Sequence, residues 1–458
     1  MKKTLIALLG GVTALALVLV LLAPRLLGFS VTRLDDAGGV ATAMGAKLAC
    51  SGHFISGFGH ERIVDDLASY SPVNRLLELE YGERSVSAAL LGMARASATY
   101  REGLGCTLDI GDTGALDRVE LAPLATRDEE WPRGNTVSTI DARLQQQVEE
   151  VLARDNAAGR QTRALVVVQD GRLVAEAYGP GIDAQTPLLG WSMGKSLTAI
   201  LQGRLEALGL AGSLEGPVFP EWESDARARI GLEDLLQMSS GLGFDETYAP
   251  GSDSTRMLFG AHSASGVALA SPAAREPGSH FSYSSGTTNL IARWVHQRLG
   301  GDVQASVDFF RDELLRPLGM AHTVFEPDPS GIFVGSSYIY ASGRDWARLG
   351  QLMLGGGELD GRRLLEPDWV ARATSPNSSA NDPRYGYQFW LNGGGDTLRY
   401  PELPADAYFM RGNRKQVVMV SPSTNTVVVR LGWSSGAYPT GSNFASILAA
   451  LPARPDGA

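Results

Sequence analysis

Apolar positions along the chain fall into three kinds of run: one unbroken, several with helical spacing, and two pairs of β-rich segments. The unbroken run, Thr4 to Ala23, carries no charge, follows Met1-Lys2-Lys3 and ends at Pro24-Arg25. Twenty helical residues at about 1.5 Å each span roughly 30 Å, the hydrocarbon core of a bilayer. The run exceeds the roughly 7–15 residues of a signal-peptide apolar region, and no small-residue cleavage site follows it. Residues 1–28 are therefore expected to form an uncleaved signal anchor, a single transmembrane helix with its lysine pair in the cytoplasm. A long signal peptide that is removed is the alternative, and in both cases the rest of the chain is exported.

Residues 29–137 mix short helical stretches with loops and form an accessory region. Within it Arg84–Arg101 has helical spacing, with Val86, Ala89, Leu90, Met93 and Tyr100 roughly on one face, and predicts an amphipathic helix. A second unit, 138–453, starts with helical spacing over Ile140–Asp155. It continues with two β-rich runs on either side of Asp170-Gly171, a strong hairpin signal because both turn positions favour φ > 0. A similar pair, Lys415–Ser421 and Thr426–Gly432, lies near the other end around Pro-Ser-Thr-Asn, ahead of a terminal helix over Asn443–Leu451 and a tail, 454–458. Hairpins from both ends with a helical middle predict an α+β fold: one antiparallel β-sheet flanked by helices, with a helical subdomain inserted.

Composition narrows the function. With 44% hydrophobic and 20% charged residues the chain has the material for a packed core, and a net charge of −10 argues against nucleic acid as partner. Six scattered histidines and two cysteines, with no HExxH, HxH or CxxC, leave the usual zinc signatures missing. Export predicts a Cys50–Cys106 disulfide, closing a loop of about 56 residues worth roughly 4 kcal/mol in the chain-entropy view. Only five lysines occur, Lys2, Lys3, Lys47, Lys195 and Lys415, the remaining basic residues being arginine.

One of those lysines stands in Gly190-Trp-Ser-Met-Gly-Lys-Ser. Ser192-x-x-Lys195 puts a hydroxyl and an amine one helical turn apart on one face, with the serine near a helix N-terminus. A serine is a weak nucleophile until a base takes its proton, and a lysine serves only when burial makes it neutral; arginine cannot. The bland reading is a surface lysine in a first helical turn. Ser192 also satisfies G-x-S-x-G, the nucleophile elbow of α/β-hydrolases, but no alternating strand–helix pattern surrounds the last histidine, His322, and no HGGG-type segment occurs. Further on, Tyr283-Ser284-Ser285 precedes a helix through Ile291–Val295, and a tyrosine beside a lysine can relay a proton to a leaving group. Asp245-Glu246 reads as a solvated loop, and His280 as a loop residue.

Ser192-x-x-Lys195, then Tyr283-x-Ser285, then a late strand ending Met410-Arg411-Gly412, resembles the serine β-lactamase and penicillin-binding-protein superfamily. The resemblance runs over about residues 138–451, roughly two thirds of the chain. Leu235–Leu242, Pro277-Gly278, Ser342–Gly350 and Tyr385–Trp390 support it. It is nearest to class C β-lactamase relatives of the 6-aminohexanoate-oligomer hydrolase and esterase type, which share a serine at the position of Ser285. The family often has a cation at the position of Met410, and here Arg411 is the neighbouring charge. The resemblance implies Ser192 as nucleophile, Lys195 as base and Tyr283 as relay. It further implies an oxyanion hole of the Ser192 and Asn413 N–H groups, close substrate approach at Gly412, and Tyr248 and Trp390 as candidate pocket walls.

These readings predict an envelope-anchored serine hydrolase, periplasmic or otherwise extracytoplasmic, acting on a small-molecule amide or ester without metal or organic cofactor or protein partner. The alternatives are a D,D-peptidase or β-lactamase, and a catalytically silent membrane-tethered binding protein.

Overall fold

The structure, a computed structural model, describes residues 33–92, 94–212 and 217–452. The expected anchor over Thr4–Ala23 and the tail lie outside those residues. Among the described residues no helix is long and apolar enough to cross a membrane.

The N-terminal region is built on helix α1 (Leu34–Phe54), followed by α2 (His60–Ala68) and four strands. Strands β1 (Leu77–Tyr81), β2 (Ser85–Leu90), β3 (Ala94–Arg101) and β4 (Gly105–Leu108) form an antiparallel meander in that order. The helix predicted over Arg84–Arg101 is thus a hairpin, turned at Leu91 (φ 50°) and Gly92 (φ 70°). Val86, Ala88 and Leu90 are buried while the intervening residues are half-exposed, a period of two rather than 3.6. The alanines and serines that suggest a helix serve close packing instead: α1 lies directly on these strands, and a Cβ on Gly45 would meet that of Ala88 at 3.2 Å. Cys50 in α1 and Cys106 in β4 are joined by a disulfide.

The larger unit starts with α3 (Ala142–Ala157), β5 (Thr162–Gln169) and β6 (Arg172–Tyr178). The expected turn between the strands has Asp170 at φ 49° and Gly171 at φ 73°. Strands β7 (Trp390–Leu391), β8 (Tyr408–Gly412), β9 (Gln416–Ser421) and β10 (Thr426–Gly432) complete a six-stranded antiparallel sheet of order β7-β8-β9-β10-β5-β6. The two hairpins meet where β10 pairs with β5, Val428 opposite Val167. Alternate residues serve two cores. Leu165, Val167, Phe409, Met419 and Val428 pack with α3 and the terminal helix Thr440–Ala449. Val166, Val168, Met410, Val418, Val427 and Val429 face the inserted, mostly helical segment between β6 and β7. Burial on both faces explains the unbroken valine runs.

The accessory region docks on the larger unit through buried charge. Lys47 of α1 forms an ion pair with Glu326, which also accepts from Ser51 Oγ (2.7 Å) and the Cys106 N–H (2.6 Å). Lys47 Nζ lies 4.2 Å from the Tyr338 ring centroid.

Candidate active site

Ser192 stands at the N-cap of α4 (Met193–Ala207), whose residues Met193 to Gly203 are all buried. The preceding residue, Trp191, is held at φ 50°, and the Gly190 N–H donates to the Ile339 carbonyl (2.8 Å). Lys195, one turn into the helix, donates from Nζ to Ser192 Oγ (3.1 Å), Ser285 Oγ (2.9 Å) and the Ser336 carbonyl (3.2 Å). None of these partners is a carboxylate. Burial lowers the Lys195 ammonium from 10.5 to about 8, opposed by the more distant charge of Glu246.

Ser285 opens α5 (Ser285–Arg298), capped by the Ser284 side chain. Its hydroxyl donates to the Glu246 carboxylate, and its N–H donates to Glu246 Oε2 (2.8 Å). The Tyr248 hydroxyl donates to Glu246 Oε1 (2.9 Å) and lies 3.0 Å from Ser285 Oγ. A hydrogen-bonded row therefore runs Glu246–Ser285–Lys195–Ser192. The sequence reading of Asp245-Glu246 as a solvated loop is corrected for Glu246: only Asp245 is exposed, and Glu246 turns inward onto a helix N-terminus that favours a carboxylate. No spacing rule could have found it, because it reaches Ser285 across 39 residues. Tyr248, the candidate pocket wall, is 47% exposed as a residue, with its hydroxyl turned toward Ser285.

Tyr283 lies with its ring centroid 4.8 Å from Lys195 Nζ. Burial pushes its phenol well up, a hydrogen bond with Ser192 opposes this, and Arg411 adds a smaller opposing pull. Tyr283 is therefore a neutral phenol, able to donate. Its ring packs on Trp390 (5.1 Å, 30°), and the Arg411 guanidinium lies over the far aromatic group, 5.4 Å from Trp390 and 5.7 Å from Tyr400. Arg411 thus points to the face of β8 opposite Met410, which is fully buried in the main core.

Gly412 has an intramolecular reason to be glycine: a Cβ there would stand 2.1 Å from the Gly190 carbonyl oxygen. The Cβ direction at Gly412 is thus taken by the turn that leads into Ser192. Strand β8 consequently ends against the Ser192 turn. Asn413 follows, its Oδ1 accepting from the Arg414 N–H (2.8 Å). Among the described residues neither the Ser192 nor the Asn413 backbone N–H donates to a protein acceptor. Among the same residues no group of three or more His, Cys, Asp or Glu side chains could hold a metal ion.

The sequence matches the beta-lactamase family over residues 140–449. Among solved structures, a penicillin-binding-protein homologue from Caulobacter crescentus superposes with a TM-score of 0.53 at 19% identity, over 69% of this chain and 99% of that one. A candidate 6-aminohexanoate-dimer hydrolase from Bacillus anthracis gives 0.51 at 19% identity, over 72% and 87%. A family VIII carboxylesterase gives 0.52 at 15% identity, over 69% and 100%. At such identities these likenesses speak for the fold alone, but the family match spans well over half of the chain. The chain belongs to the beta-lactamase family, within the serine β-lactamase and penicillin-binding-protein-like superfamily.

Proposed function

We propose that the protein is a serine hydrolase that cleaves an amide or ester through a Ser192 acyl-enzyme. The observation that carries this reading is Lys195: fully buried, bonded to Ser192 Oγ and, among the described residues, hydrogen-bonded only to uncharged groups. A lysine lowered to about 8 is neutral in an appreciable fraction of molecules at mildly alkaline pH. Neutral Lys195 takes the Ser192 proton as Oγ bonds to the carbonyl carbon, and the tetrahedral oxyanion is held by the Ser192 and Asn413 N–H groups. Tyr283, protonated, passes a proton to the leaving amine or alcohol as its bond to carbon breaks, and Lys195 restores it. Water then attacks the acyl-enzyme by the same route in reverse, releasing the acid.

The preference for a simple amide or ester over a β-lactam rests on β8. Met410 points into the core, and Arg411 is engaged with Trp390 and Tyr400 rather than presented at the Met410 position. The same reading tethers the enzyme by residues 4–23 with its catalytic unit outside the cytoplasm, where the Cys50–Cys106 disulfide would persist.

A fluorophosphonate probe should label the wild type and leave Ser192→Ala unlabelled; equal labelling refutes the acyl-enzyme. Turnover of a p-nitrophenyl ester that depends on Ser192 separates this function from a silent binding protein. Labelling by a fluorescent penicillin would move the assignment to a D,D-peptidase or β-lactamase.

A further inference from the structure

We propose that Tyr70, contributed by the accessory region, is a positioning residue for the oxyanion hole, an inference that rests on the hydrolase reading above. The two N–H groups assigned to that hole belong to Ser192 and Asn413, and each adjoins a residue in left-handed backbone. Trp191 precedes Ser192 at φ 50°; Arg414 and Lys415 follow Asn413 at φ 57° and 65°. Such conformations are unfavourable for a non-glycine residue, and they persist only where surrounding contacts impose them.

Tyr70 touches both strained turns. Its ring meets Trp191 edge-on at 6.2 Å and 73°, and the Arg414 guanidinium lies 3.7 Å from its centroid. It also packs edge-on against Trp433 (5.8 Å, 90°). The Trp433 indole in turn donates to the Asp66 carbonyl (3.1 Å) and to Ser69 Oγ (3.0 Å), fixing the turn after α2 in which Tyr70 lies. From the other side, Arg430 donates to the Arg414 carbonyl (3.0 Å). Tyr70 is thus a wedge between the turn before Ser192 and the turn after Asn413.

The chemistry of the wedge argues against a purely structural role. Tyr70 Oη, Trp191 Nε1 and Arg414 Nε are all shielded from solvent and lack a hydrogen-bond partner among the described residues. Burial pushes the Tyr70 phenol well up, and the neighbouring Arg414 charge opposes this only in part. Unpaired buried polar atoms are destabilising, so stability alone would favour an apolar cluster here. The arrangement holds two turns at a fixed spacing. That spacing matters to transition-state stabilisation, where a displaced N–H costs rate rather than binding.

The test is Tyr70→Leu and Tyr70→Phe in the full chain, assayed with a p-nitrophenyl ester. Tyr70→Leu is expected to lower kcat by about 10- to 100-fold with KM within about 2-fold, while Tyr70→Phe keeps kcat within about 3-fold of wild type. The pH dependence set by Lys195 should not move in either variant. If Tyr70→Leu does not fold, Arg414→Lys replaces it, because an ammonium cannot stack as a guanidinium does; the same selective loss in kcat is expected. Wild-type kcat in a folded Tyr70→Leu, or a KM change that matches the kcat change, overturns the positioning role. Absence of Ser192-dependent turnover in the wild type would instead overturn the hydrolase reading itself, so the two failures are distinguishable.

Discussion

Lys47 and Lys195 are each 1% exposed, and they sit in opposite electrostatic company. Lys47 faces a carboxylate, Glu326, whose remaining lone pairs accept from Ser51 and the Cys106 N–H. Burial pulls Lys47 down and pushes Glu326 up, and each opposes the other's shift. Lys195 contacts two hydroxyls and a carbonyl, and its nearest influential carboxylate acts on it from beyond Ser285. Burial alone therefore does not decide what a lysine does. A paired ammonium fastens two regions together, whereas one left without a counter-charge can give up its proton and take another.

The sharpest way to break this contrast is to keep the charge of Lys195 and remove its titration. Lys195→Arg should reduce kcat/KM for a p-nitrophenyl ester by about 10³-fold, since a guanidinium cannot act as base. Wild-type rates in that variant would end the role of Lys195. Lys47→Met should do the reverse. It strands Glu326 and should cost about 3–5 kcal/mol in urea unfolding, with kcat per folded molecule unchanged.

Linkage separates the lysines a third time. The folded protein holds Lys195 at about 8 against 10.5 when exposed, so the unfolded chain binds more protons between those values and stability rises with pH there. The penalty is fully present below pH 8 and relieved as pH climbs to 10.5, a difference on the order of 3 kcal/mol. Comparing wild type with Lys195→Met by urea unfolding at pH 7.5 and 10.5 should show the gap between them changing by that amount. The smallest effect concerns Glu246, whose charge raises Lys195. Glu246→Gln should move the lower limb of the pH–kcat/KM profile from near 8 to more acid pH, by less than about one unit. A shift to alkaline pH would contradict the row from Glu246 to Lys195.

What could be read in the chain follows how local each feature is. The Asp170-Gly171 hairpin, the terminal helix and Ser192-x-x-Lys195 depend on neighbours within one turn, and their spacing states them directly. Arg84–Arg101 misleads because its alanines and serines satisfy helical periodicity while answering to a tight fit under α1. Glu246 and Tyr70 are silent for another reason. Each acts across tens to hundreds of residues, through Ser285 in one case and through Trp191 and Arg414 in the other. Arg411 shows the limit of motif alignment, since strand parity sent its side chain to the face opposite Met410.

The burial of α4 from Met193 to Gly203 carries a consequence for how such an enzyme can change. Ser192 and Lys195 are set on a helix cast into the interior as one block, so almost any substitution along it is felt first as a packing defect. New specificities must come from the rim, where Tyr248 and the Arg411–Trp390 stack stand on segments remote in sequence from Ser192. A library confined to those positions would vary the rim of the site and leave the buried helix that carries Ser192 and Lys195 unchanged.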